Sequence, residues 1–374
     1  MVYRPGLLNG EVSRMRIVCV GYVNGEGGAQ RQMLMLANEL ANRNNEVHLF
    51  LIAGNDIRYA LSDKVIVHDL TDNDMKSIHP IIGRYKAIKR MYKEIVPEVT
   101  IHYNFQSVYV SAMMKKSITG KIIYSERGDP GDVEYTGLLG LVRRIVLPRV
   151  DGFVFQTMVA RDYFGESVRR KSTVIHNSVA INCTYDLTQN IERERRIVGV
   201  GRLHEQKNFP LLINAFTSIS DQYPDYILEI YGEGVLRDEL QKLIDKNGLN
   251  NRIVLKGARK DIHDCIYKAS LFVLTSDYEG MPNALIEAMA LGLPCISTDW
   301  RPGAVRGLIE DGKNGLVTSL NEVDELAAKI RYVLDNSDEA EQMGKNASKI
   351  METHKHKLVF DKWNEFIKGV VEEK

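Results

Sequence analysis

The chain has 374 residues, 44% hydrophobic and 26% charged, the composition of a soluble globular protein too long for one ordinary core. Lys plus Arg equals Asp plus Glu, 49 against 49, so net charge points to no polyanionic partner and no nucleic acid. The charge is uneven all the same, because residues 15–180 carry 22 basic and 17 acidic side chains.

The opening "MVYRPGLLNGEVSR" lacks the basic-then-apolar order of a signal peptide, and a second start-like "MRIVCVGYV" follows at Met15. Residues 1–14 therefore read as an N-terminal extension or tag. "RIVCVGYV" (16–23) is a continuous apolar run, as expected of a parallel strand covered on both faces. The glycine-rich "NGEGGAQ" leads into a helix in which Leu34, Ala37, Leu40 and Ala41 keep helical spacing. "EVHLFLIA", "KVIVHDL", "VTIHYNF", "KIIYSER" and "DGFVFQT" read as further strands, with a helix over "IIGRYKAIKRMYKEIVPE" that ends at Pro97. Residues 15–183 thus form one doubly wound α/β domain. The polar "TYDLTQNIERERR" (184–196) is the expected linker. The pattern then restarts with strands "IVGVGRL", "YILEIYGEG", "RIVLKGA", "SLFVLTSD" and "PCISTD" and helices between them, giving a second domain over 197–354 and a closing helical segment over 355–374. A cleft between two such domains is the default binding site.

Cys19, Cys183, Cys265 and Cys295 show no C-x-x-C spacing, so reduced thiols in a cytoplasmic protein are expected. No stretch approaches 18 consecutive apolar residues.

Chemistry concentrates in the second domain. "GRLHEQKN" sets Arg202 and Lys207 just past the C-terminal end of a strand, where open α/β sheets bind ligands. Two cations ahead of a helix N-terminus suit a diphosphate. "YGEG", "LKGAR" and "DYEGMPN" are glycine turns after the following strands. The last opens "EGMPNALIEAMALGLP" (279–294), where Asn283 is the expected cap and Gly292 the expected stop. Between Ala284 and Leu291 every side chain is apolar except Glu287. A carboxylate in a helix with no face left for water needs a partner, and ribose hydroxyls beside a diphosphate would serve. A buried ion pair with a basic residue elsewhere is the alternative, made less favourable by the co-occurring glycine turns.

Glu279 and Glu287 form E-x7-E, and with "GRL…K", "GEG…L" and "EGMPNALIEAMALGLPCIST" the chain resembles the retaining glycosyltransferases of family 4, which have the GT-B fold. "GGAQR" (27–31), "IIYSERGDP" (122–130) and "GLIEDGKNGLV" (307–317) are similar to segments of the same family, the second to bacterial members that extend lipid-linked oligosaccharides. The resemblance implies two Rossmann-like parallel-sheet domains facing across a cleft, with the closing helix crossing back to the first. It implies a nucleotide-diphosphate sugar, UDP-linked, as donor, with no cofactor and no metal. Arg202 and Lys207 would hold the phosphates and Glu287 the ribose. Glu279, Gly280, Met281 and Asn283 would contact donor sugar and phosphate, Gly257, Ala258 and Arg259 the base, and Gly27 and Gly28 the diphosphate from the other domain. In the first, acceptor-binding domain, Glu126 is expected to contact acceptor or donor sugar, with His102 and Arg127 as acceptor residues; His102 is equally well read as a core imidazole within its strand.

Between Lys76 and Arg127 stand ten basic and three acidic residues, and "LLGLVRRIVLPR" (138–149) is apolar and basic. Each segment taken singly reads more simply as an amphipathic core helix with a solvated charged face; together they suit peripheral attachment to an anionic membrane surface on its cytoplasmic side, or a lipid diphosphate. The rivals are few. Asp72-Asn73-Asp74 is a D-x-D of the metal-binding kind but sits among turn formers, and "GYVNGEGGAQ" is not the G-x-G-x-x-G of a dinucleotide oxidoreductase. A nucleotide-sugar epimerase of the same fold and a non-catalytic sugar-nucleotide-binding subunit remain open.

Overall fold

The computed structural model describes residues 14–25, 27–69, 80–131, 137–179, 181, 185, 191–300 and 304–373. Residues 1–13, most of 184–190, and the Asp72-Asn73-Asp74 triplet lie outside them, as does Cys183.

The first sheet comprises β1 (Arg16–Gly25), β2 (Glu46–Ile57), β3 (Val65–Asp69), β4 (Val99–His102), β5 (Lys121–Ser125), β6 (Gly152–Phe155) and β7 (Ser172–Val174). All pair in parallel, in the order β3-β2-β1-β4-β5-β6-β7. Its helices are α1 (Gly28–Asn42), α2 (Pro80–Ile95), α3 (Phe105–Met113), α4 (Gly137–Val146), α5 (Met158–Asp162) and α6 (Glu166–Arg169). The second sheet, β8 (Glu194–Val200), β9 (Ile227–Tyr231), β10 (Ile253–Gly257), β11 (Ala269–Leu274), β12 (Cys295–Thr298) and β13 (Leu316–Thr318), is also parallel, ordered β10-β9-β8-β11-β12-β13. Around it lie α7 (Phe209–Ile219), α8 (Arg237–Lys246), α9 (Ile262–Ile266), α10 (Asn283–Ala290), α11 (Val323–Asp335), α12 (Ser337–Ser348) and α13 (Met351–His354). The last helix is α14 (His356–Glu372). Strand order reverses between β1 and β4 and between β8 and β11, the switch points beside which ligands enter such sheets.

Burial explains the apolar strands. In β1, Ile17 and Cys19 enter one core while Val18 and Val20 enter another on the opposite face. A strand covered on both sides has no use for alternation. Burial also pushes the Cys19 thiol up to about 12, and Cys19, Cys265 and Cys295 are all free. In α14, Val359, Phe360, Trp363, Ile367 and Val370 join the core that holds Ile17 and Leu34, so the end of the chain packs in the first domain. Each such side chain contributes about 1.5–3 kcal/mol of burial.

Three details differ from the sequence reading. β8 starts at Glu194, inside the stretch assigned to the linker. β7 and β13, three residues each, are too short to carry a pattern. Asn283 is the first residue of α10 rather than its cap: Pro282 holds the cap position in extended conformation, with no side-chain hydrogen bond. Gly292 does end the helix, at φ 69°, and Gly344 of α12 comes so close that a Cβ there would stand 2.2 Å from the Gly292 carbonyl.

Candidate active site

The site grows from main chain at the C-terminal edge of the second sheet. The amides of Gly201 and Leu203 donate to the carbonyls of Tyr231 and Glu233, and the Gly232 amide donates to that of Gly257, each at 2.9 Å. A Cβ on Gly232 would lie 1.8 Å from the Gly201 carbonyl oxygen, and one on Gly234 2.3 Å from that of Leu203. Only glycine allows the loops after β8 and β9 to approach so closely. After Arg202 the chain makes one 3-10 turn (Glu205–Lys207), passes Asn208 at φ 43° and enters α7. The next loop is laced to that turn: the Asp277 amide donates to the Gln206 carbonyl, and Gln206 Nε2 to that of Tyr278, at 2.9 and 2.8 Å.

This lacing brings Lys207 onto Glu279 in a nearly buried ion pair, with the Ser276 hydroxyl donating to the same Glu279 oxygen at 2.7 Å. Arg202 stays exposed, in reach of Gln206 Oε1 at 3.3 Å. Ala258 and Arg259 are exposed beyond Gly257, the guanidinium held by Asp261 through two hydrogen bonds.

Glu287 finds its partners outside its own helix. Arg31 Nη1 of α1 donates to Oε1 at 2.6 Å, and His263 Nε2 of α9 lies 3.1 Å from Oε2. Burial pushes the Glu287 carboxyl up, but the hydrogen bond from His263 and the charge of Arg31 outweigh it and hold the group below the usual range. Arg31 lies in the quoted "GGAQR", one turn past the glycines, and its role escaped the sequence reading; nothing in the sequence around His263 marks it.

Two helix N-termini meet at this seam. α1 is preceded by Gly27 and α10 by Pro282; neither has a side-chain cap, and neither carries an acid in its first turn. Asn283 Nδ2 reaches the Gly28 carbonyl at 3.4 Å, and a Cβ on Gly28 would stand 2.9 Å from that nitrogen. Uncapped N–H groups at two helix N-termini favour an anion. Asn177, which the sequence reading also missed, knits the seam: its Nδ2 donates to Asn283 Oδ1 and to the Met281 carbonyl, and its Oδ1 accepts from Arg127 Nη1 and Gln156 Nε2. Gly280 lies under the first domain, where a Cβ would come within 2.4 Å of the Arg127 carbonyl.

The first-domain residues sit deeper than expected. Glu126 turns inward: Oε2 accepts from Tyr124 and from Arg143 Nη2 at 2.9 and 2.6 Å, and Oε1 from the amides of Arg127 and Gly128. With both oxygens engaged, Glu126 shapes the loop instead of presenting a carboxylate to the cleft. His102 is the last residue of β4, fully buried, with Nδ1 2.9 Å from Ser107 Oγ; burial lowers its pKa to about 3. It is a neutral core imidazole. Arg127 lies over the rings of Tyr103 and Trp363, and burial lowers its pKa. Three buried polar atoms along this edge, His102 Nε2, Ser125 Oγ and Gln156 Oε1, have no hydrogen-bond partner among the described residues.

Residues 188–350 match the family described as glycosyl transferases group 1. Anabaena HepE, solved in complex with UDP, superposes with a TM-score of 0.77 over 95% of this chain and 100% of its own, at 18% identity. The fold is GT-B. An uncharacterized glycosyltransferase of Methanocaldococcus jannaschii is 30% identical over 61% of this chain, which spans 63% of that relative. A Campylobacter jejuni alpha-1,4-N-acetyl-D-galactosaminyltransferase, named for a PP-undecaprenol-linked saccharide, is 24% identical over 92% of this chain and 96% of its own.

Proposed function

We propose that the protein is a retaining, metal-independent glycosyltransferase of family 4 that moves a hexose or N-acetylhexosamine from a UDP-sugar to a lipid-linked or surface-glycan acceptor. The observation that carries the reading is the pair of uncapped helix N-termini meeting beside Lys207 and Glu287. A diphosphate there receives main-chain N–H groups from both domains, through Gly27 and Gly28 on one side and Gly280 to Asn283 on the other. Arg202 and Lys207 neutralise charge as it develops on the leaving group, the chief demand of an oxocarbenium-like transition state. Glu287 exchanges Arg31 and His263 for ribose hydroxyls, Glu279 meets the donor sugar, and the loop over Gly257 to Arg259 meets the base. The acceptor oxygen bonds to the anomeric carbon as its bond to the diphosphate breaks, and the acceptor proton passes to the departing diphosphate oxygen.

UDP in the HepE complex and the undecaprenol-linked name of the C. jejuni relative support donor and acceptor class. No helix among the described residues is long and apolar enough to cross a membrane, and the basic, apolar surface of the first domain fits peripheral contact with the cytoplasmic face of an anionic membrane. The test is a panel of UDP-, GDP- and ADP-sugars with EDTA present, read as released nucleotide with and without a lipid-linked acceptor extract. UDP release from one sugar, dependent on acceptor and indifferent to EDTA, is expected. UDP binding without release from any donor would favour the non-catalytic subunit; interconversion of the free sugar nucleotide would favour an epimerase.

A further inference from the structure

A closed ring of hydrogen bonds joins α1 to α10. It starts on α1, where the buried Gln32 grips Ser178: Nε2 donates to the Ser178 carbonyl at 3.0 Å, and Oε1 accepts from the Ser178 amide and hydroxyl at 3.1 and 3.3 Å. The preceding residue, Asn177, only 2% exposed, donates from Nδ2 to Asn283 Oδ1 at 2.7 Å and to the Met281 carbonyl at 3.1 Å. Asn283 Nδ2 then faces the Gly28 carbonyl at 3.4 Å, one turn before Gln32 on α1, and the ring closes. Val179 donates its amide to the His354 carbonyl at 2.9 Å, so the strip 177–179 is held at every residue.

The partners dictate how each amide faces. An arginine can only donate and a main-chain carbonyl can only accept, so Arg127 and Met281 orient Asn177. Asn283 is left its oxygen for Asn177 and its nitrogen for Gly28. Asn177 Oδ1 accepts from Arg127 Nη1 at 2.8 Å and from Gln156 Nε2 at 2.7 Å. Its two acceptor and two donor positions are thus filled, two by each domain, and it has no capacity left for a ligand.

α1 and α10 also meet through Arg31 and Glu287, the first beside Gln32 in sequence and the second one turn past Asn283. A ligand acts differently on the two contacts. On the donor-site reading above, ribose takes Glu287 from Arg31, so the ion pair opens as the donor enters, while the amide ring stays shut. We infer that Asn177 and Gln32 are positioning residues: their ring holds the N-termini of α1 and α10 at the separation a diphosphate bridges, and the Arg31–Glu287 pair is the exchangeable part of the same contact. The inference rests on that reading and deepens it, because it gives two residues that touch no ligand control over how tightly the diphosphate is held.

The test titrates the full chain with UDP, inorganic pyrophosphate and uridine, with melting curves alongside. Asn177→Asp keeps the shape and the oxygen for Arg127 and Gln156 but has no N–H for Met281 or Asn283. Gln32→Met keeps an apolar stem of similar length and releases Ser178. Each variant should bind UDP and pyrophosphate about tenfold more weakly, the worth of one or two buried hydrogen bonds. Uridine, held through base and ribose by the second domain alone, should bind all three proteins equally. The double variant should lose little more than either single one, since a ring opened at one point is open. Should one variant fail to fold, the other carries the same comparison. Equal pyrophosphate affinity in wild type and variants, a parallel loss of uridine, or a wild-type protein that binds no pyrophosphate would each overturn the inference. Weaker pyrophosphate binding by the variants of a protein that binds no UDP would support it while overturning the nucleotide-sugar donor. UDP binding that both variants keep at full strength would do the converse.

Discussion

In the second domain the loops after β8, β9 and β10 touch through their main chains, with Gly232 and Gly234 at the closest approaches. In the first domain the loop after β5 is held by a buried carboxylate, and its partner is an arginine from α4, 17 residues on in the chain. The two edges face the same cleft, yet one is a backbone scaffold and the other a side-chain scaffold. A backbone scaffold is rigid without exposing polar groups to burial costs. A buried ion pair holds only while both partners are present, and can be moved by whatever moves one of them. The contrast predicts that single side-chain changes disturb the first-domain edge and that only backbone changes disturb the second.

The largest effect should come from breaking the backbone scaffold. Gly232→Ala puts a Cβ against the Gly201 carbonyl at φ 144°, and denaturant unfolding should record a loss of about 4 kcal/mol or more, or no folded protein. Wild-type stability would mean that the glycine turns are not the frame. Glu126→Ala should cost about 3 kcal/mol by stranding Arg143 among apolar side chains. If it were neutral, the side-chain scaffold would be an ornament of the loop.

Acid should act next, through imidazoles buried as neutral groups. His354, the last residue of α13, stacks on His176 with centroids 4.7 Å apart, and burial lowers its pKa to about 4; that of His102 falls to about 3. The unfolded chain takes up these protons first. Stability is therefore greatest above the ordinary imidazole pKa and falls as pH drops through 6 toward 4, by up to about 1.4 kcal/mol per pH unit for each group. His354→Gln should flatten this slope; an unchanged slope would place the acid sensitivity elsewhere. Arg202→Ala should be smallest in the fold, within about 0.5 kcal/mol, because the side chain is exposed. UDP affinity should nonetheless fall about tenfold.

Why one half of the site was legible and the other was not follows from the same contrast. Glycines that let backbones touch are visible as "YGEG" and "LKGAR", and a carboxylate stranded in an apolar run announces that it needs company. The identity of that company is not local: Arg31 stands 256 residues from Glu287, and only the packing of the two domains joins them. Asn283 looked like a cap because Asn is a good one, but its side chain is taken by Asn177 across the seam. The periodicity of α4 is plain in "LLGLVRRIVLPR", yet periodicity reports an axis and not which side faces the core. Glu126 at a strand end looked like a site carboxylate until Arg143 claimed it.

The most direct test of the donor site is calorimetric titration of UDP into the wild-type protein and into Glu287→Gln, both with EDTA, alongside their melting curves. Wild-type binding, weakened about tenfold or more in a variant that stays folded, is the expected result, because the amide cannot accept two ribose hydroxyls as a carboxylate does. Equal affinity in the two proteins would leave Glu287 a structural partner of Arg31 and His263, and the ribose assignment would fall.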